Sequence, residues 1–111
     1  MNNKSRIIAS ISVFACSALL LCSRAYAHFP TLNCAVHQPD NTKLYCQAGY
    51  SDASLAGVVK LKVYSYDDDL LENVTTVTDG SALLNMPQGE YYIVFDPGHE
   101  SPAEFDYAEL Q

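Results

Sequence analysis

The chain predicts an all-β protein, a single small antiparallel β-sandwich of about seven strands. Three observations carry this. Apolar and polar residues alternate with a period of two over residues 58–66 and 90–96, turn formers recur at short intervals, and beyond residue 27 no convincing amphipathic helix can be read. Val59, Leu61 and Val63 fall on one face of their segment with Lys60 and Lys62 on the other, and Tyr91, Ile93 and Phe95 share a face of theirs.

The first element is not a strand. Lys4 and Arg6, an apolar run over 7–21, and the small-x-small tripeptide Ala25-Tyr26-Ala27 are the charged, greasy and cleavable parts of a secretory signal peptide spanning 1–27. The run is shorter than the ~20 residues a membrane-spanning helix needs. Lipoprotein processing at Cys22 calls for a small residue just before it, where bulky Leu21 stands. Cleavage after Ala27 makes His28 the first residue of a mature domain, 28–111, delivered to the periplasm.

That domain sets three lysines, Lys43, Lys60 and Lys62, against thirteen acids, a formal charge of −10. Such a surface repels nucleic acid and anionic lipid and favours cations or a basic partner. Cys16 and Cys22 leave with the signal, so Cys34 and Cys46 remain as an even pair in an oxidising compartment, where a disulfide is the expected state.

Taken in order, segments 29–37 and 43–50 flank the turn formers Gln38-Pro39-Asp40-Asn41-Thr42. A hairpin folded about Asp40 sets Cys34 opposite Cys46 and Val36 opposite Leu44. Residues 51–57 form a loop, and 58–66 the third strand. Asp67-Asp68-Asp69 ends it as a solvated turn, since it lacks the glycine and distant glutamate of a calcium loop. A fourth strand over 70–77 reaches the Asp79-Gly80 turn; 82–85, 90–96 and 102–110 follow, separated by Pro87-Gln88-Gly89 and Pro97-Gly98.

Thr78-Asp79-Gly80 followed by Pro87-Gln88-Gly89-Glu90-Tyr91-Tyr92-Ile93 resembles the closing half of a transthyretin-like or carboxypeptidase-regulatory-like sandwich, a pattern that marks a fold and not a function. A narrower pattern runs through the domain. It comprises a histidine directly after the signal site, Tyr50-Ser51-Asp52-Ala53-Ser54, Val63-Tyr64, and Asp96-Pro97-Gly98-His99 followed by Ala103-Glu104. In this order it is similar to the small periplasmic accessory subunits of nickel and cobalt energy-coupling-factor transporters. The resemblance implies a metal-handling domain whose two family histidines are His28 and His99, with nickel or cobalt as the metal and membrane transporter subunits as partners.

The residues alone point the same way. An N-terminal histidine offers an α-amine and an imidazole from one residue, and both lose protons readily to a competing divalent metal. The amino-terminal copper and nickel motif with a histidine third is excluded, because Pro30 has no amide hydrogen to lose. A brace remains, with His28 giving two nitrogens and a distant histidine completing the set. His99, on a loop after a strand, is the candidate, and Glu100, Glu104 and Asp96 are nearby carboxylates that can serve as harder ligands or hold an imidazole. His37 lies nine steps along an extended strand, roughly 30 Å from His28, and reads as a surface residue. Cys34 and Cys46 as thiolates with His37 form an alternative zinc or copper(I) set, set aside in favour of the disulfide.

No nucleophile stands at motif spacing from a base and no glycine loop cradles a phosphate, so neither catalysis nor a small-molecule substrate is expected. Two other functions share these features: a periplasmic copper carrier or copper-resistance protein, and a non-catalytic sandwich that binds protein in the cell envelope.

Overall fold

The computed structural model of the chain describes residues 28–39 and 41–110. The signal peptide expected over 1–27, with Cys16 and Cys22, and the hairpin apex at Asp40 lie outside the described residues. Seven strands follow in order: β1 (Pro30–Val36), β2 (Lys43–Tyr50), β3 (Lys60–Ser65), β4 (Leu70–Thr75), β5 (Ser81–Asn85), β6 (Tyr91–Phe95) and β7 (Ala103–Asp106). They form two antiparallel sheets, β1-β2-β5 and β4-β3-β6-β7, packed as a sandwich.

The first hairpin has the register its cysteines imply. Cys34 pairs with Cys46 and Val36 with Leu44, and the two sulfurs are bonded. Leu44, Cys46 and Ala48 from β2, Leu61 and Val63 from β3, and Tyr91, Ile93 and Phe95 from β6 are fully buried. These are the inward positions that period-two alternation assigns. Lys60 and Lys62 stand exposed on the outer face. β4 is different: it is an edge strand, and only Val74 of its six residues is even half-buried.

The last segment departs from expectation. β7 ends at Asp106, and Tyr107–Leu110 form a short 3-10 helix. The cause is local: Asp106 N–H donates to Glu109 Oε2 at 2.7 Å and Asp106 Oδ1 accepts from Ala108 N–H at 2.9 Å. Acidic side chains thus take up backbone groups that a longer strand would have paired. Tyr107 then packs edge-on against buried Tyr91 at 5.6 Å.

Strand directions decide which loops share an end. β1, β3, β5 and β7 begin where β2, β4 and β6 finish, as the antiparallel pairings require. One end therefore collects residues 28–29, 51–59, 76–80 and 96–102. Hydrogen bonds weld the first three of these together. Ser51 N–H donates to Phe29 O, buried Thr76 gives its hydroxyl to Gly57 O and accepts from Val59 N–H, and Ala48 N–H donates to Gly80 O. No helix among the described residues is long and apolar enough to cross a membrane.

Candidate functional site

His28 sits at this welded end. Ser51 N–H donates to Phe29 O at 2.8 Å and Phe29 N–H to Ser51 Oγ at 3.0 Å, which carries the β1–β2 pairing past its last ladder partners, Pro30 and Tyr50. One further step sets His28 across from Asp52. The His28 ring meets Tyr50 edge-on at 4.9 Å, and Tyr50 meets buried Phe95 the same way at 5.9 Å. Two ring contacts therefore tie an exposed histidine to the core.

The Asp52 carboxylate accepts from Ser54 Oγ at 2.6 Å and Ser54 N–H at 3.0 Å. These bonds, the hydroxyl first, hold the carboxyl below the ordinary range, and charge on His28 adds to the effect. Asp52 is thus a standing negative charge beside the histidine. Asp52 is not among the residues expected near the histidine, although its signal lies in the sequence: the register that pairs Cys34 with Cys46 and Pro30 with Tyr50, continued by two residues, sets 28 across from 52.

His99 lies on the loop between β6 and β7. Asp96 Oδ1 accepts from Gly98 N–H at 2.8 Å, and Gly98 adopts φ +91°, a left-handed conformation that suits glycine. The turn brings His99 Nδ1 to 3.2 Å from Pro97 O. A carbonyl oxygen can only accept, so Nδ1 carries the proton and the neutral ring presents Nε2 as its free lone pair. A backbone carbonyl fixing one nitrogen while the other is left open is the usual way a protein orients a metal-binding imidazole.

Beside it, Glu100 is half-buried, and its Oε2 is enclosed without a hydrogen-bond partner. A shielded carboxylate oxygen of this kind is unfavourable unless a proton or cation meets it. Glu104 is placed otherwise: it is exposed on β7, cross-strand from Val94, on the outer face of the four-stranded sheet. An open pocket of about 290 Å³ lies on that same face between Lys60, Lys62, Tyr64 and Val94 and runs up to Asp96 and Gly98.

The topology thus brings His28, Asp52, Asp96, His99 and Glu100 to one end of the sandwich. His37 is at the other. It is exposed just beyond β1, its N–H donates to Lys43 O at 3.0 Å, and its ring lies 6.4 Å from that of Tyr45. The Cys34–Cys46 disulfide leaves no thiolate there to join it. Among the described residues, no group of three or more His, Cys, Asp or Glu side chains is gathered as a metal cluster. A brace of two histidines and an α-amine does not need one. Comparisons with protein-family models, with curated proteins and with solved structures find no match to the chain.

Proposed function

We propose that this is an exported accessory protein of the periplasm that captures nickel or cobalt and supports its uptake by a membrane transporter. The α-amine and imidazole of His28, freed by signal cleavage, and Nε2 of His99 form the capture site, with Glu100 as a carboxylate held in reserve. The observation that carries this reading is the hydrogen bond from His99 Nδ1 to Pro97 O, which leaves Nε2 open at the same end of the sandwich as His28. The ordered resemblance of His28, the segment after β2 and Gly98-His99 to nickel and cobalt accessory subunits supports it from the sequence side.

A copper-carrier duty uses the same ligands. Copper(II) binds such nitrogen sites more tightly than nickel or cobalt whatever the physiological metal, so affinity in vitro does not separate the two. Genes for a transporter's membrane and ATPase subunits beside this one favour nickel or cobalt; genes for copper oxidases or exporters favour copper. Isothermal titration of the processed, metal-free protein with nickel, cobalt and copper salts tests the shared premise. Binding tighter than micromolar, about −8 kcal/mol, is expected for at least one of them. If none binds better than about millimolar, the capture function is wrong and a non-catalytic binding module stands in its place.

A further inference from the structure

The thirteen acids of the domain are unevenly spread. On the three-stranded sheet, the outward positions are Thr31, Asn33 and Ala35 of β1, Lys43, Tyr45, Gln47 and Gly49 of β2, and Leu83 and Asn85 of β5. None is a carboxylate. Elsewhere acids are close at hand: Glu104 and Asp106 on the strand β7, Asp52, Asp79 and Asp96 at the histidine end, and Asp67–Asp69 at the opposite end. The registers Ala35↔Tyr45 and Tyr45↔Leu83 line up one row across the middle of this carboxylate-free face, with Tyr45 and Leu83 exposed by 40% and 52%.

We propose that this face is where two copies of the chain meet. A body carrying −10 repels its own kind, and the repulsion is strongest where carboxylates come opposite carboxylates. The outer face of β1-β2-β5 is the sheet surface on which that encounter does not occur. A two-fold axis through the central row stacks sheet on sheet and sets Tyr45 and Leu83 of one copy against the same row of the other, an isologous contact in which every favourable pair occurs twice. With the axis perpendicular to the strands, Lys43 of each copy approaches the opposite end of its partner, where Asp79 adjoins Gln47 through a 2.7 Å bond from Gln47 Nε2 to Asp79 O. With the axis parallel to the strands, Lys43 meets Lys43. Charge selects the perpendicular arrangement.

The area sets the strength. Three strands about 4.8 Å apart and seven residues long cover roughly 300 Å² of flat sheet. That is well below the ~800 Å² per partner of a standard stable interface. The dimer is therefore expected to be weak and reversible, so that high concentrations are needed to populate it.

Sedimentation of the processed protein from about 10 µM to 1 mM, in EDTA, tests this independently of any metal. The weight-average mass should climb towards that of the dimer across this range. Leu83→Asp puts a carboxylate on the central row of both copies and should weaken association at least tenfold, as should Tyr45→Asp. Leu70→Asp is the matched control: Leu70 is 50% exposed on β4, so the same charge is added at an equally exposed leucine on the other sheet, and association should persist. All three sites are exposed, and circular dichroism confirms that each variant remains folded. A mass that stays monomeric throughout overturns the proposal. So does association that survives both face substitutions, or that Leu70→Asp abolishes equally.

Discussion

On the proposed reading, His28 can offer a chelate only once the peptide bond in front of it has been cut. Placing one Gly ahead of it keeps the imidazole and the net charge but moves the amine off the chelate ring. That extension should weaken metal binding at least tenfold, about 1.4 kcal/mol, in isothermal titration. His99→Ala should do similar damage, because it removes the open Nε2, while His37→Ala, at the far end of the sandwich, should change affinity less than twofold. An extended protein that binds as tightly as the natural one reduces His28 to an ordinary imidazole ligand. The two histidines were legible as candidates from residue type and position. Their common end was not, because it depends on which way the strand carrying Phe95 runs relative to β1, a relation between segments some sixty residues apart. Asp52 was legible in principle from the cysteine register, and the buried oxygen of Glu100 only from three dimensions, since burial of one carboxylate atom has no sequence signal.

Strands and turns answer to more local rules. The β1–β2 hairpin could be read to the residue, because turn chemistry at Gln38–Thr42 and a disulfide between facing cysteines both demand one register. Opening the disulfide by replacing Cys34 and Cys46 with Ala should cost about 3 kcal/mol in denaturant unfolding, part of it the loss of a cross-link on the unfolded chain. Free thiols in the native protein would falsify the pairing. The Asp79-Gly80 turn was equally readable, and its geometry explains the glycine. Gly80 has φ +84°, and a Cβ there would lie 2.5 Å from Ala48 O, the backbone of a central strand. Gly80→Ala should therefore destabilise the fold by about 2 kcal/mol or more, whereas Gly89→Ala, also at positive φ but with open space around it, should cost less. β7 was overextended because helix-like capping by Asp106 and Glu109 competes with strand pairing through single hydrogen bonds, which alternation does not register. The pairing of β2 with β5 and of β3 with β6 was beyond reading, since each joins segments separated by two whole strands.

Across the molecule, the acids and tyrosines that close the surface also bound the pH range in which it is stable. Tyr66 O–H donates to Asp106 Oδ1 and Tyr92 O–H to Asp68 Oδ1, and these bonds, before burial or neighbouring charge, push both phenols up to about 12. A folded pKa above the unfolded value of about 10 means the proton is held more tightly in the native state. That stabilisation is complete below about pH 10 and is lost as pH rises through about 12. The carboxyls run the other way. Asp52 and Asp79 are held low chiefly by the Ser54 and Ser81 hydroxyls, and Asp106 chiefly by the Tyr66 phenol. Their contribution is present above an unfolded value of about 4 and is lost as pH falls through their lowered folded values. Unfolding free energy should thus form a plateau between roughly pH 5 and pH 9.5, falling on both sides. Alkaline titration of tyrosinate absorbance on the folded protein should show the Tyr66 and Tyr92 phenols ionising at about 12, with Tyr91 also pushed up by burial. Tyr66→Phe and Tyr92→Phe should each remove one of them and flatten part of the alkaline limb. Because the net negative charge grows over the same range, the measurement belongs at both low and high salt: screening relieves general repulsion but leaves the two hydrogen-bonded phenols late. If Tyr66 and Tyr92 ionise near the ordinary phenol value of about 10 at either salt, the two phenol–carboxylate bonds do not persist in solution and the alkaline limb owes nothing to them.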